Sequence, residues 1–550
     1  MILIIPSAQM LNYEMQSETG ACTNALINLA GKPLFVHIVE SYQKILDDEN
    51  LNVILIVKTG VKKLIIDYKE YIDKCVEVDN SSSFLETINA GLKEGLINDK
   101  SDDNNQVIIH MADTLLPGKK LTLKTDCIYA SSMTSDAYRW TLFTEINGVI
   151  KVDSDRVFSK LQDNDKFMFL GIYSLSSVNK FKKLSSEIGY STDGIDPFFK
   201  VIEKYSEYKP LSVRVTDNWL DFGNLDTYYI SQLNYQNLRH FNSLEFNEKN
   251  GVITKRSKDS NFLHQVRWFQ LQPSEIQFYL PRIFEYSDGE NPYITMEILT
   301  IPTLSELFIN ERLDIGAWSI ILSRLQDILE AFSKYKYESE IAYNMQYSMY
   351  VSKTVQRLEK FLTDNPDKKD IRCKGFPDGY SLCEVPSLIK DYIDKYHILS
   401  SIDLTPIHGD FCLTNLLYDQ RSRIVKMIDP RGIFSLPGIY GDSRYDVAKI
   451  YHSILSGYDY IISDKFSVNV HNNLVECKIH KTKHHDEIAE MTQELLTPNL
   501  VERHQIRVVE SLLFLSMLPL HEDRPDRQLA MISIGLELFN FYYSLDKDAL

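Results

Sequence analysis

Along the first 235 residues, hydrophobic positions fall in short, nearly unbroken runs separated by longer mixed ones. "MILIIP", "NVILIVKTG" and "QVIIHMAD" are of the first kind; "PLFVHIVESYQKIL" and "FLETINAGLKEGL", which lie between them, are of the second. Unbroken apolar runs of this length are strands buried on both faces, and the mixed runs are amphipathic helices. The alternation predicts an α/β domain with a mostly parallel sheet covered on both sides. Ligands of such sheets gather at the carboxyl ends of strands, which directs attention to "PSAQ" after the first run and "MADT" after the last.

The rhythm breaks at "FNEKNGVITKRSKDSNF", where charged residues surround an Asn-Gly turn signal. A boundary near residue 243 therefore separates a first domain, 1–240, from a second, 245–550. In the second, "GVITKRS", the helical "SNFLHQVRWFQLQ", "FYLPRIFEYS" and "PYITMEIL" predict a small sheet-rich lobe over 245–302. From "TLSELFI" onward long helical patterns dominate, predicting a helical lobe over 303–550 and an α+β class for this half. Residues 463–483, "SDKFSVNVHNNLVECKIHKTK", alternate on either side of "HNN" and predict a solvated hairpin between helices. No internal repeat or low-complexity stretch interrupts the pattern.

Composition narrows the function classes. The 550 residues are 44% hydrophobic and 25% charged, as in ordinary globular proteins, and the formal net charge is -17. Nucleic acids and anionic membranes need a basic footprint, so neither is an expected partner; small molecules and metal cations are. Seven cysteines without paired spacing suggest neither a disulfide framework nor a zinc site, and predict a reducing compartment. "MILIIP" is too short for a signal-peptide core, and no later apolar run approaches the ~20 residues that span a bilayer. The expectation is a cytoplasmic protein, with a homo-oligomer left open.

The chemistry is concentrated in "PIHGDFCLTNLLYDQRSRIVKMIDPRG", residues 406–432. A hydroxyl that attacks a nucleoside triphosphate needs a carboxylate to accept its proton, and the phosphates need magnesium held by further oxygen ligands. Asp410 is the candidate base, Asn415 and Asp429 are the candidate magnesium ligands, and His408 completes the catalytic set by bracing the loop. These residues resemble the catalytic loop and metal-binding aspartate of the aminoglycoside phosphotransferase and choline kinase family, relatives of protein kinases. The resemblance covers about 245–550 and is sharp over 406–449. It implies a two-lobed protein-kinase-like fold that uses ATP and Mg2+. In "GDSRYDVAK" it implies that Asp446 caps and braces. In the small lobe it implies a strand lysine on the nucleotide phosphates, Lys255 or less favourably Lys258, and a hinge whose backbone from Glu297 to Leu299 meets the adenine. The family pairs that lysine with a helical glutamate; here Gln265 stands at that place, with Glu275 as another candidate anchor.

"LAGKPLFVHIVESY", "IIHMADT" and "WLDFGNLDTYY" resemble successive segments of sugar-nucleotide pyrophosphorylases and cytidylyltransferases. That family implies a Rossmann-like first domain, with Asp113 and Asp221 as ligands of a magnesium ion. The chemistry implied is attack of a phosphorylated compound on the α-phosphorus of CTP or another nucleoside triphosphate. The signature loop departs from the family. Met10, Leu11 and Asn12 occupy the glycine and arginine region and Thr23-Asn24 the proline-lysine pair, so backbone approach and positive charge are both missing. Lys32 is the remaining cation nearby.

Together these features predict a bifunctional enzyme, a small-molecule kinase fused to a nucleotidyltransferase-like domain that activates or binds the phosphorylated product. Resemblance to capsule and surface-polysaccharide enzymes suggests a sugar, polyol or amino alcohol substrate. The alternative is a binding or scaffold protein built of two degenerate enzyme domains. Inactivation of a cationic antibiotic would need an acidic acceptor pocket, for which Asp442 and Glu476 are candidates.

Overall fold

Strand β1 (Ile2–Ser7) is buried at every position, and its side chains alternate between two apolar clusters. Leu3 and Ile5 enter one, Ile2 and Ile4 the other, as the two-residue repeat of a strand requires. In the computed structural model the described residues are all those outside 30–31, 46–50, 80–82, 96–105, 118–120, 122–125, 133–139, 154–165, 190–195, 238–241, 248–250, 258, 260, 290, 400–402 and 546–550. The chain divides into two compact units, Met1–Leu238 and Arg239–Leu550.

In the first unit, β1 is followed by helices α1 (Tyr13–Thr19) and α2 (Leu34–Gln43), strands β2 (Asn52–Lys58) and β3 (Lys74–Val78), helix α3 (Phe84–Gly95) and strands β4 (Val107–His110) and β5 (Thr114–Leu115). Then come β6 (Cys127–Ser131), β7 (Leu142–Ile146), β8 (Val149–Val152), β9 (Phe167–Leu175), helices α4 (Val178–Ile188) and α5 (Pro197–Tyr208), β10 (Ser212–Val215) and β11 (Leu220–Asp221). The main sheet runs β8-β7-β9-β4-β1-β2-β3, with β6 paired to both β9 and β10. Leu34, Phe35, Ile38 and Val39 of α2 cover one face. Residues of α3, α4 and α5, among them Ile88, Phe181 and Phe198, cover the other.

The sheet is mixed, which corrects the expectation of a mostly parallel one. Strands β1, β2, β3 and β4 pair in parallel, but β9 is antiparallel to β4, β6 and β7. Nine residues long, β9 serves three partners because it bends at Gly171, where φ is 78° and the register on β6 shifts. A Cβ at Gly171 would lie 2.6–2.8 Å from Met111 side-chain atoms, so glycine is needed there for both its backbone angle and its size.

The second unit opens with a four-stranded antiparallel sheet. Its strands are β12 (Asn242–Asn247), β13 (Val252–Ser257), β14 (Ile283–Ser287) and β15 (Tyr293–Glu297), in the order β12-β13-β15-β14. Helix α6 (Phe262–Leu271) packs Val266, Trp268 and Phe269 into a core shared with Ile294, with Trp318 and Leu322 of α7 (Ile315–Ser333), and with Leu416 and Met427. Those last two belong to a hairpin, β16 (Leu416–Asp419) and β17 (Ile424–Met427). A second core joins α8 (Lys353–Asp364), α9 (Ser443–Ile454), α10 (Leu500–Ser516) and α11 (Pro525–Ser544) through residues such as Leu358, Tyr451, Leu512 and Phe539. The stretch 463–483 carries the hairpin β18 (Phe466–His471) and β19 (Leu474–Ile479), turning at Asn472 and Asn473, both with positive φ. Among the described residues no helix is long and apolar enough to cross a membrane.

Candidate active site

The turn that carries Asp410 is fastened from several sides. Asp446, in the first turn of α9, accepts hydrogen bonds from the backbone N–H groups of His408 and Gly409 at 2.6 and 2.8 Å. Burial pushes its carboxyl up to about 7 against the pull of those two donors. His408 is fully buried, and burial lowers its imidazole to about 4, so the ring is neutral. Nε2 donates to the Ile428 carbonyl at 2.9 Å, and Nδ1 accepts from the Asp410 N–H at 3.3 Å. Both ring nitrogens are thereby spent on backbone, and the position of His408 is that of a brace. Trp268 Nε1 adds a bond to the Ile407 carbonyl at 2.7 Å.

The β16–β17 hairpin brings the next two residues together. Leu416 pairs with Met427, so Asn415 stands opposite Ile428, whose N–H it accepts at 3.0 Å, and Asp429 follows directly. The Asn415 amide Nδ2 donates to the Asp410 carbonyl and to Asp410 Oδ2, both at 2.9 Å. Asp410 is held on its other oxygen by Lys449 of α9, Nζ to Oδ1 2.9 Å. Burial pushes the Asp410 carboxyl up, but the Lys449 ammonium outweighs it and keeps the group below its usual range. Asp410 is therefore an ionised carboxylate at neutral pH, aimed by two partners.

Asp429 has φ 55°, a backbone angle that aspartate tolerates better than most residues. Its carboxylate is about half exposed, at 48%, and pairs with Lys255 Nζ at 2.6 Å. Lys255 projects from β13 and is itself buried. The expected anchors do not hold it: Gln265 donates instead to the Pro430 carbonyl at 3.0 Å, and Glu275 pairs with Lys334 at 3.0 Å. A helical acid is unnecessary here because Asp429 itself neutralises the ammonium. Lys258 lies outside the described residues.

Lys255, Asp410 and Asp429 line one cavity of about 470 Å³. Magnesium commonly takes one or two protein carboxylates and completes its shell with water and phosphate oxygens. Asp429, a half-exposed carboxylate on that cavity, fits that need; Asn415, whose amide nitrogen is spent on Asp410, does not line the cavity. The hinge residues lie elsewhere. Glu297 accepts the Arg282 N–H at 3.0 Å and lines a second cavity with Phe278 and Lys426. The N–H groups of Glu297 and Ile298 bond to the Arg282 and Gly251 carbonyls, and Leu299 follows the end of β15 without lining either cavity. Asp442 and Glu476 do not form an acidic pocket: Asp442 is buried against Arg444 at 2.7 Å, and Glu476 pairs with Lys374 at 2.7 Å.

What sequence reasoning missed is the basic wall of this cavity, Lys353 and Arg357 on α8, Arg431, and Lys449. Lys353 and Arg357 are four apart on an amphipathic helix and look like ordinary solvated positions; only their surroundings distinguish them.

In the first unit, β11 pairs with β5 so that Asp221 lies opposite Thr114, next to Asp113. A Cβ built on Gly223 would be 3.2 Å from both Asp113 Oδ2 and Asp221 Oδ1, so the two carboxylates converge on one small space. Burial and the neighbouring Asp221 raise Asp113 to about 6. A pair of mutually repelling carboxylates is a fit for a divalent cation. The loop after β1 differs from a phosphate cradle: α1 occupies it, with Asn12 capping the helix through Met15 N–H at 2.7 Å and with Leu11 and Met15 buried. Asn24 donates to Asp113 Oδ2 at 3.2 Å, and Lys32 is engaged by Glu40 at 2.5 Å.

No protein-family model and no curated protein matches the chain. Solved structures similar to parts of it include pyrophosphorylases or cytidylyltransferases and aminoglycoside phosphotransferases. A nucleoside-diphosphate-sugar pyrophosphorylase from Vibrio cholerae is 13% identical over 42% of this chain and 99% of its own, with a TM-score of 0.34. An inositol-1-phosphate CTP transferase from T. maritima is 16% identical over 42% of this chain and 94% of its own, with a TM-score of 0.28. The ADP-bound aminoglycoside phosphotransferase APH(2'')-Ib is 11% identical over 57% of this chain and 97% of its own, with a TM-score of 0.35.

Proposed function

We propose that the second unit is a small-molecule kinase that transfers the γ-phosphoryl group of ATP to a hydroxyl group. The observation that carries this reading is the convergence of an ionised, doubly held Asp410 with Asp429 and Lys255 on one cavity. The small lobe 245–302 and the helical lobe 303–550 would enclose the nucleotide. Asp410 accepts the proton of the attacking hydroxyl; a bond forms from that oxygen to the γ-phosphorus as the bond to ADP breaks. Asp429 would hold Mg2+, whose charge offsets that on the phosphate oxygens, while Lys255 leaves Asp429 for the phosphates. His408 and Asp446 keep the loop in place.

The first unit is proposed to bind the phosphorylated product or a nucleotide rather than to complete nucleotidyl transfer. Asp113 and Asp221 supply a metal-binding pair, but the loop offers no glycine-rich cradle and no uncommitted cation where triphosphate charge needs one. A place in surface-polysaccharide synthesis, and a cytoplasmic location consistent with seven free cysteines, belong to this proposal.

The test is ATP turnover by the full chain with magnesium and a panel of alcohols, amino alcohols and sugars. Asp410→Ala is expected to lower kcat by about 10² to 10⁴-fold while sparing nucleotide affinity, the range a positioned base supplies. Asp429→Ala is expected to weaken magnesium-dependent nucleotide binding as well. Normal turnover by Asp410→Ala overturns the assignment.

A further inference from the structure

The cavity of the second unit holds five basic side chains, Lys255, Lys353, Arg357, Arg431 and Lys449, against three carboxylates, Asp259, Asp410 and Asp429. This is an unusual place for cations in a chain whose formal net charge is -17. Lys255 and Lys449 are paired with Asp429 and Asp410. The other three have no carboxylate partner among the described residues. Arg357 donates to the Ser516 carbonyl at 3.1 Å, Arg431 to the Tyr445 hydroxyl at 3.1 Å, and Lys353 has only the Met349 thioether at 3.5 Å. Elsewhere in the unit, Arg444 is matched by Asp442 at 2.7 Å and Arg507 by Glu510 at 2.6 Å, whereas Arg312 leaves Nε and Nη1 without a hydrogen-bond partner among the described residues.

Clustered cations without counter-charges oppose folding, and they persist where a ligand supplies the missing anion. The opposition is visible in Lys353, whose ammonium is pushed down to about 6 by burial first and then by Arg431, Arg357 and Lys449. A π-helical stretch, Tyr347–Ser352, runs directly into α8 at Lys353. Such departures from α-helical winding recur at functional sites.

Two anions compete for this wall, the donor's triphosphate and the acceptor. The donor side of the cavity is marked by Lys255 and Asp429, which sit on the sheet and at the end of the β16–β17 hairpin. Lys353 and Arg357 come instead from α8. Arg357 is tied to the end of α10, and the cavity continues there along Leu513, Met517 and Leu520. Resting on the kinase reading above, we infer that the hydroxyl compound phosphorylated here is itself an anion, an alcohol bearing a carboxylate or phosphate group bound by Lys353, Arg357 and Arg431. Its hydroxyl faces Asp410. A cationic amino alcohol or aminoglycoside meets repulsion at the same wall.

The experiment uses the full chain saturated with magnesium and a non-hydrolysable ATP analogue, so that the donor's phosphate positions are filled. Inorganic phosphate and acetate are then titrated by calorimetry as the two candidate anionic groups. Binding of at least one is expected, weakened tenfold or more in Lys353→Met and in Arg357→Gln, with affinity for the ATP analogue unchanged within twofold. Stronger binding of phosphate or of acetate tells a phosphate ester from a carboxylate. Lys353→Met removes a part-buried amine that its cationic neighbours disfavour and is expected to fold; circular dichroism checks both variants. In parallel, glycerol, glycerate, glycerol 3-phosphate and choline are compared as acceptors. The inference is overturned if neither anion binds, if the variants bind them normally, if the variants weaken the ATP analogue instead, or if glycerol or choline is the best acceptor. Failure of the ATP analogue to bind the unmodified chain, or binding indifferent to Asp429→Ala, would instead overturn the kinase reading.

Discussion

At the scale of single residues, the two candidate sites place carboxylates in opposite circumstances. Asp410 is depressed by an ammonium, so the stability its pairing contributes is present above the ordinary carboxylate range and is lost as pH falls through its lowered value. Lys449→Met removes the ammonium and lets burial dominate. The acidic limb of the kcat–pH profile is expected to move upward by about one unit or more. Asp113 is raised to about 6, so between the ordinary carboxylate range and that value the unfolded chain ionises first and stability falls with rising pH. Asp113→Asn is expected to stabilise the first unit by about 1 to 3 kcal/mol at pH 7, measured by thermal unfolding. Magnesium should raise the melting temperature of the unmodified chain more than that of the variant. Asp410 and Asp429 were legible in the sequence because their spacing is set by a local loop and hairpin. The basic wall was not, because Lys353 reaches Arg431 and Lys449 across 78 and 96 positions of chain, and no local pattern encodes such proximity.

At the scale of elements, α6 is docked on the segment after Asp429 with no space to spare. Gln265 bonds to the Pro430 carbonyl, and Gly432, at φ 67°, lies against the α6 backbone so closely that a Cβ would come within 2.2 Å of the His264 carbonyl oxygen. Gly432→Ala therefore faces both an unfavourable backbone angle and an overlap with main chain that cannot turn aside. A loss of about 2 to 4 kcal/mol in the second unit is expected, read from chemical denaturation, with a higher KM for ATP as α6 and the Asp429 segment part. Short strands and amphipathic helices were readable from hydrophobic spacing, as β1 and α2 show. The direction of β9 was not, because a strand buried on both faces carries the same pattern whichever way its neighbours run.

At the scale of the whole molecule, each unit has apolar clusters of its own. Two thermal transitions are expected in scanning calorimetry, and magnesium with an ATP analogue should shift the transition of the second unit. A single transition, or equal shifts of both, would show that the units unfold together. The division falls between Leu238 and Arg239, shortly before the charged, Asn-Gly-containing segment at which the run pattern changes, and a change of architecture to a small antiparallel sheet leaves such a break in rhythm.

One contact has a thermodynamic corollary. Lys255 and Asp429 are clasped to each other, and on the kinase reading proposed above each stands in for the guest its partner would take: the ammonium for a cation, the carboxylate for a phosphate. A lone metal ion would then have to evict the lysine and a lone nucleotide the aspartate, each leaving a stranded charge behind. Arriving as one complex, the two guests would swap one satisfied pair for two, so their entry would be co-operative and either would be poorly held by itself.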